Sequence, residues 1–177
     1  MKKQINNFAC IDGANLYNGV HDLGWLLDYE RFRVWLNDKY SVTRAYLFLG
    51  LIPKYKDLYT YLQEVGYTLV FKETTKDGEG KVKGNCDADL VLRTTCDAYE
   101  NRFDQAILVS SDGDYASLVK FLQNKSKLKV ILSPSNKCSI LIKRTNAPIV
   151  YLNTQRGILL QKEKAPNVDG TTPGSSS

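Results

Sequence analysis

Short apolar runs alternate along the chain with stretches in which apolar residues recur every three or four positions. The runs are typical of buried β-strands, and the second spacing is typical of amphipathic α-helices. The runs predict strands at residues 8–11, 42–49, 67–71, 106–110, 129–132 and 149–152. The helical spacing predicts helices at residues 28–40, 55–65, 86–101, 115–124 and 137–144.

This alternation predicts an α/β protein, a three-layer α/β/α sandwich with a central, mostly parallel sheet. We expect one domain over residues 1–164, because that length is enough to bury one hydrophobic core. Residues 165–177 have too few apolar residues to pack and are expected to be a disordered tail. Residues 73–85 are polar and rich in glycine, so they are predicted to form an exposed loop or a short hairpin.

Aspartates lie just after two of the predicted strands and at the start of one predicted helix. Asp12 follows the first strand, and Asp112 and Asp114 follow the fourth. Asp87 and Asp89 open the helix that comes before the fourth strand. Ligands of a parallel sheet bind at the carboxyl ends of its strands, so these acids are expected to converge there. Carboxylates without histidine or thiolate partners are typical ligands of Mg²⁺ or Mn²⁺.

Each acid also has a structural explanation that stays open. Residues two apart on a helix are separated by about 200° of rotation, so Asp87 and Asp89 cannot both face one site. We choose Asp87, while Asp89 is equally well explained as a charge that favours the helix macrodipole. Asp12 before a glycine is compatible with a simple turn, and Asp112 or Asp114 is compatible with a helix cap.

Charge is distributed unevenly along the chain, although its 43% hydrophobic and 24% charged residues are ordinary for a globular protein. Residues 1–114 contain 14 Lys/Arg and 17 Asp/Glu, whereas residues 115–162 contain nine basic residues and no acidic one. Such a stretch indicates a surface for a polyanion such as RNA, with a solvated basic face as the alternative.

The four cysteines and the lone His21 do not form a metal motif. No CxxC and no Cys/His pair at ligand spacing occurs, so a zinc site is not expected. The apolar runs are too short to span a bilayer, and the basic N-terminus lacks the apolar core of a secretory signal. We therefore expect a cytoplasmic protein with reduced cysteines and no membrane partner.

Three motifs resemble those of the NYN domain, in the LabA-like branch of the PIN-like nuclease superfamily. They are IDGANLY at residues 11–17, Lys83-Gly84 ahead of Asp87, and VSSDGDY at residues 109–115. The resemblance covers about residues 8–152, and the ordered set of motifs is specific although each motif alone is not. It implies an α/β/α sandwich with a parallel sheet and a metal-dependent ribonuclease site.

Carried over residue by residue, the resemblance implies a catalytic metal site made of four acids. These are Asp12, Asp87, Asp112 and Asp114. Asn15 resembles a polar partner near the scissile phosphate. Ser110 or Ser111 is in a position to orient waters or to supply an oxygen ligand, and Asp89 is a possible additional acid.

One departure from the family pattern concerns residue 93. Many members carry a further acid six residues after the position of Asp87, and this chain has Arg93 there. Arg93 is expected either to hold RNA phosphate or to pair with Asp89. If the missing acid contributes to metal binding, activity is reduced. The candidate contacts for RNA are Lys83, Arg93, Lys137, Lys143 and Arg144.

The leading hypothesis is a Mg²⁺- or Mn²⁺-dependent ribonuclease, an endonuclease acting on single-stranded RNA through a metal-activated water. Tyr17 or Tyr115, beside the acids, is a candidate for stacking on a base, with core packing as the preferred alternative. The second hypothesis is a module that binds RNA or a protein without cleaving. A phosphatase of the haloacid dehalogenase type is the weakest, because such enzymes need an acid where this chain has Ala14. A homodimer is compatible with these hypotheses.

Overall fold

A six-stranded sheet, parallel throughout, forms the centre of the protein. The computed structural model describes residues 4–72, 75–76, 82–83 and 86–162. In chain order the strands are β1 Asn7–Asp12, β2 Val42–Gly50, β3 Tyr67–Lys72, β4 Thr75–Lys76, β5 Val82–Lys83, β6 Ala106–Val109, β7 Leu128–Ser133 and β8 Ile149–Tyr151. The sheet has the order β3-β2-β1-β6-β7-β8, and β4 and β5 pair separately as an antiparallel hairpin.

Helices connect the parallel strands and cover both faces of the sheet. They are α1 Gly13–His21, α2 Tyr29–Tyr40, α3 Lys56–Glu64, α4 Asp87–Tyr99, α5 Ala116–Asn124, α6 Ile140–Lys143 and α7 Arg156–Leu159. Short 3₁₀ turns precede three of them, at Pro53–Tyr55, Gly113–Tyr115 and Leu152–Gln155.

The two faces of the sheet carry separate hydrophobic cores, because side chains alternate along each strand. Ala9 and Ile11 of β1 pack in the core formed with α1, α2, α3 and α7. Phe8 and Cys10 pack in the core formed with α4, α5 and α6. Strands that are buried on both faces have nearly continuous apolar sequences, which is why the runs predicted them. The predicted α/β/α sandwich is confirmed.

The strand order reverses between β1 and β6. From β1 the chain builds outward through β2 to β3, and it then returns to add β6, β7 and β8 on the other side of β1. Ile11 of β1 pairs with Val109 of β6, so these strands end side by side. In open parallel sheets, such a reversal leaves a crevice at the carboxyl ends of the two strands.

Helix α1 was not among the predicted helices. Its sequence contains two glycines and two asparagines, which have low helix propensity. The helix forms because Asp12 caps it, with Oδ1 accepting a hydrogen bond from the Asn15 backbone N–H at 3.0 Å, and because Leu16 and Val20 are buried. Tertiary burial has overridden weak local preference.

Other predictions were imprecise or lie outside the described residues. The helix predicted at 137–144 begins only at Ile140, because Ser139 accepts the capping hydrogen bond from the Leu141 N–H. The predicted tail at 165–177 and most of the segment 73–85 lie outside the described residues, apart from the β4–β5 hairpin. None of the helices in the described residues is long and apolar enough to cross a membrane.

Arg33 joins helix α2 to the edge of the sheet. Its guanidinium donates hydrogen bonds to three backbone carbonyls, those of Gly66 at 3.0 Å, Val42 at 3.2 Å and Thr43 at 3.1 Å. Gly66 has a φ of +99° in the turn between α3 and β3, a conformation that favours glycine. The side chain therefore fixes this turn and the start of β2 against α2.

Candidate metal centre

The crevice between β1 and β6 is lined by aspartates from three chain segments. Asp12 is the last residue of β1, Asp112 lies in the loop after β6, and Asp87 is the first residue of α4. Because the two strands end side by side, residues that are 100 positions apart in the chain are brought to one edge. The sheet topology thus produces the convergence that the strand ends predicted.

Asp12 is held by two hydrogen bonds. Its Oδ1 accepts from the Asn15 N–H, and its Oδ2 lies 3.1 Å from the Tyr115 hydroxyl, whose one proton is shared between Asp12 and Asp87. Residue 13, directly after Asp12, is a glycine because α1 starts in close contact with β2. A Cβ at Gly13 would lie 2.7 Å from the carbonyl oxygen of Phe48, so any larger residue would push α1 and Asp12 out of place.

The loop that carries Asp112 and Asp114 is braced in a similar way. The Asp112 N–H donates to Ser110 Oγ at 3.1 Å, and Asp112 Oδ1 accepts from the Asp114 N–H at 3.0 Å. Asp112 is therefore a cap, as its structural alternative held, and Asp12 caps α1 although its alternative was a simple turn; each uses one carboxylate oxygen for that purpose. A Cβ at Gly113 would lie 2.5 Å from Ser139 Oγ, so glycine is needed where this loop packs on the start of α6.

Asp87, Asp112 and Asp114 form the acid trio. Each offers one carboxylate oxygen, and the three oxygens lie within 4.8 Å of one another. Asp87 and Asp112 are half-buried and Asp114 is exposed. Oxygen ligands at these separations fit a hard divalent cation, which keeps several waters of its own and needs few protein ligands. The trio has the donor set for Mg²⁺ or Mn²⁺.

Asp12 lies outside the acid trio and contacts it through Tyr115. The fully buried Tyr115 hydroxyl is 2.6 Å from Asp87 Oδ1 and 3.1 Å from Asp12 Oδ2. Burial raises the pKa of Asp12, and the charges of Asp87 and Asp112 raise it further, while the hydrogen bonds from Asn15 and Tyr115 lower it. Burial raises the pKa of Tyr115, and the charges of Asp12 and Asp87 raise it further, far above its usual range. The hydroxyl therefore stays protonated.

Asn15 and the two serines bind the protein's own backbone and side chains. Asn15 Oδ1 accepts hydrogen bonds from the Ser111 N–H at 2.9 Å and from Ser111 Oγ at 3.1 Å, which ties α1 to the loop after β6. Ser110 is buried and accepts from Asp112. These residues support the loop that presents the acids.

Asp89 points to a different partner from Asp87. Its Oδ2 lies 3.8 Å from the Lys72 Nζ at the end of β3, and its side chain is 47% exposed. It is not part of the acid trio. The helical rotation that led us to choose Asp87 accounts for this difference.

Arg93 is paired with Asp97 and not with Asp89, which corrects one of the two expectations for it. Its Nε lies 3.2 Å from Asp97 Oδ2, its Nη2 donates to the Tyr46 hydroxyl at 2.9 Å, and its guanidinium lies over the Tyr46 ring. The reason is burial: the Asp97 side chain is 3% exposed and needs a cation, whereas Asp89 is in contact with water. Much of the hydrogen-bonding capacity expected for RNA is used inside the protein.

The basic stretch 115–162 does not form one surface. Lys125 lies over the Tyr99 ring and Lys127 donates to the Phe103 carbonyl at 2.7 Å, both next to the amino end of β7 and opposite the acids. Three candidate RNA contacts, after the carboxyl end of β7, are exposed and have no ion pair within the described residues: Lys137, Lys143 and Arg144. Of the other two candidates, Arg93 is paired with Asp97, and the side chain of Lys83 lies outside what the structure describes.

The family model of the NYN domain matches residues 9–152. The chain belongs to the NYN domain family. This confirms the resemblance drawn from the three motifs, and the LabA-like branch is consistent with it. NYN domains belong to the PIN-like nuclease superfamily and are generally related to nucleic acids. In this NYN domain the acid trio and Asp12 stand at the carboxyl edge of the sheet.

A solved structure has the same NYN-like fold. It is the crystal structure of a protein of unknown function from Vibrio parahaemolyticus RIMD 2210633, with a TM-score of 0.75 and 22% sequence identity. The match covers 91% of this chain and 99% of that one. At this identity the likeness concerns the fold alone. No curated protein matches the chain.

Tyr115 is the site residue whose role the sequence reasoning missed. It was considered for base stacking or core packing, and its ring is indeed buried. Its hydroxyl contacts two acids from segments far away in the sequence, which no local pattern shows. The available signal was its position directly after Asp114 in the Asp-Gly-Asp-Tyr motif.

Proposed function

We propose that this NYN domain is a Mg²⁺- or Mn²⁺-dependent ribonuclease. The observation that carries the proposal is the acid trio, three carboxylate oxygens within 4.8 Å of one another in the crevice between β1 and β6. Membership of a family in the PIN-like nuclease superfamily supports it. Without a cation, three such charges repel one another, and a bound cation would relieve that repulsion.

Asp87, Asp112 and Asp114 would hold the ion. When bound, it supplies a water of lowered pKa and neutralises charge on the phosphodiester. Asp12 adds a further negative charge next to the trio, and its hydrogen bonds to Asn15 and Tyr115 keep that charge in place. Gly13 and Gly113 allow the start of α1 and the loop of Asp112 to pack closely on their neighbours, which keeps the acids in place.

The segment of residues 137–144, which runs from before α6 to its C-cap, is the proposed path of the RNA. The Ser139 N–H donates to the Ser111 carbonyl at 3.0 Å, so this segment lies against the loop of Asp112. Lys137, Lys143 and Arg144 are exposed on it and are free to contact phosphates. We propose single-stranded RNA as the substrate and internal cleavage as the mode, with binding that weakens as salt increases.

Cleavage of labelled RNA and DNA in Mg²⁺, Mn²⁺ or EDTA tests the proposal. We expect cleavage of RNA with metal, none in EDTA, and none by Asp112→Asn. Asp89→Asn is the matched control, because Asp89 is a neighbouring acid outside the trio and should retain full activity. Fragments from internally cut, end-labelled RNA would report the endonuclease mode. Equal cleavage by wild type and Asp112→Asn would refute the metal site.

A binding module that does not cleave is the second candidate. It is favoured by Arg93, which stands where many family members have an acid and which is paired with Asp97. Metal titration in the presence of single-stranded RNA separates the two candidates. If the protein is such a module, it binds RNA in Mg²⁺ and yields no products.

We also propose that the protein acts in the cytoplasm. All four cysteines are free thiols, which is usual in a reducing compartment. Fractionation of cells that express a tagged chain tests this localisation.

A further inference from the structure

We propose that the hydroxyl of Tyr115 is a positioning group of the metal site, which fixes the Asp87 carboxylate for the cation and couples it to Asp12. The inference rests on the proposed metal site and assigns a role to a residue outside the acid trio. It is carried by one buried oxygen that lies between carboxylates from two chain segments.

The tyrosine ring is held in place on all sides. Tyr115 ends the 3₁₀ turn that Asp112 caps, and its side chain is fully buried in the core between the sheet and α4 and α5. An aromatic ring packed in this way has few accessible rotamers. The position of its hydroxyl oxygen is therefore set by the core.

The hydroxyl in turn restrains Asp87. It lies 2.6 Å from Asp87 Oδ1, a short separation that is typical of a hydrogen bond to a charged carboxylate. Asp87 is the first residue of α4, and Cys86 before it forms no side-chain cap. A fixed donor on Oδ1 orients the carboxylate so that it can offer an oxygen to Asp112 and Asp114.

Packing alone does not explain the hydroxyl. A phenylalanine would fill the same volume, and burying a hydroxyl group costs free energy unless it forms hydrogen bonds. The contact with Asp12 Oδ2 at 3.1 Å extends the restraint to β1, so β1, α4 and the Asp112 loop meet at one oxygen. Partners of this kind around metal ligands typically change metal affinity by about 10–100-fold when they are removed.

Tyr115→Phe tests the inference, with Tyr67→Phe as a matched control. The Tyr67 hydroxyl is also buried and donates to the Tyr29 carbonyl at 2.7 Å, in the core on the opposite face of the sheet. Mn²⁺ binding is measured by calorimetry without RNA, and thermal unfolding is followed in parallel. We expect Tyr115→Phe to bind Mn²⁺ about tenfold more weakly and Tyr67→Phe to bind as the wild type does.

The outcomes separate this inference from the proposed function. If the wild type does not bind Mn²⁺ or Mg²⁺, the proposed metal site is wrong. If the wild type binds and Tyr115→Phe binds equally or more tightly, the metal site stands and the positioning role is wrong. An equal loss of affinity in both variants would also overturn the role, because it would reflect a general loss of packing.

A measurement on the wild type covers the case in which Tyr115→Phe does not fold. The ring carbon that bears the hydroxyl is observed by NMR in ¹³C-tyrosine-labelled protein during Mg²⁺ titration. We expect the Tyr115 signal to shift and saturate with the dissociation constant found by calorimetry, and the Tyr67 signal to stay constant. A Tyr115 signal that does not move at saturation would contradict the inference.

Discussion

Neutralising one acid of the trio should stabilise the metal-free protein and weaken its response to metal. Asp112→Asn is the sharpest variant, because asparagine keeps an oxygen that can accept the hydrogen bond from the Asp114 N–H. The cap of the 3₁₀ turn is thus retained, and the principal change is the loss of one negative charge next to Asp87 and Asp114.

The size of the effect follows from the separation of the charges. Two unit charges 4.8 Å apart repel each other by about 0.9 kcal/mol at the dielectric constant of water and by about 3.5 kcal/mol at an effective value of 20. Because Asp114 is exposed and salt screens the site, we expect a gain near the lower figure, about 1 kcal/mol. For a chain of this size, that gain raises Tm by roughly 2–4 °C.

Metal reverses the order of stability. At a Mg²⁺ concentration about 100 times its Kd, binding stabilises the wild type by about 2.7 kcal/mol. The variant has lost one of three ligands and binds more weakly, so its gain is smaller. We expect Asp112→Asn to unfold at a higher temperature than the wild type in EDTA and at a lower one in saturating Mg²⁺.

Thermal unfolding of the wild type, Asp112→Asn and the control Asp89→Asn, each in EDTA and in Mg²⁺, checks this crossover. The Mg²⁺-induced rise in Tm of Asp89→Asn should equal that of the wild type, because Asp89 is outside the trio. A lower Tm of Asp112→Asn than of the wild type in EDTA would show that the trio is not under repulsion. An unchanged response to Mg²⁺ would remove Asp112 from the site.

Two further predictions concern the hydrogen bonds of Arg33 and the proposed RNA path. Replacing Arg33 by Met removes three hydrogen bonds to backbone carbonyls and should lower the free energy of unfolding by about 2 kcal/mol in urea titrations. Replacing Lys137 and Lys143 together by Ala removes two exposed charges, one before α6 and one at its end. The slope of log K against log salt for single-stranded RNA should then become shallower by about 1.4, with the fold unchanged.

Each of these predictions has a control in the chain. Arg31→Gln breaks an exposed pair with Asp28 and should change stability by less than about 1 kcal/mol; a loss as large as that of Arg33→Met would contradict the special role of Arg33. Lys129→Ala removes an exposed charge at the amino end of β7, opposite the acids. If it reduces RNA affinity as much as the single replacement Lys137→Ala does, the RNA does not follow α6.

The fold and most of the acids could be predicted because the information is local. Apolar runs identify strands that are buried on both faces, and the residues that follow them lie at the carboxyl edge of a parallel sheet. Asp12 and Asp112 were found in this way. The choice of Asp87 over Asp89 needed only the rotation per residue of a helix.

What only the tertiary structure decided are the contacts between distant segments. Helix α1 depends on the burial of Leu16 and Val20, which outweighs its weak propensity. Arg93 has an acid four residues away on either side, and the burial of Asp97 decided between them. The basic stretch is divided between the two ends of β7. Residues just before the strand lie at one edge of the sheet, and residues just after it lie at the opposite edge.

The candidate site shows the same division between sequence and structure. The sequence determined that this protein has carboxylates at strand ends, since that depends on period and order along the chain. The structure decided that Asp87, Asp112 and Asp114 form the trio and that Asp12 reaches it through the Tyr115 hydroxyl. Distances of a few ångströms between side chains depend on how the sheet and helices pack, and no periodicity in the sequence encodes them.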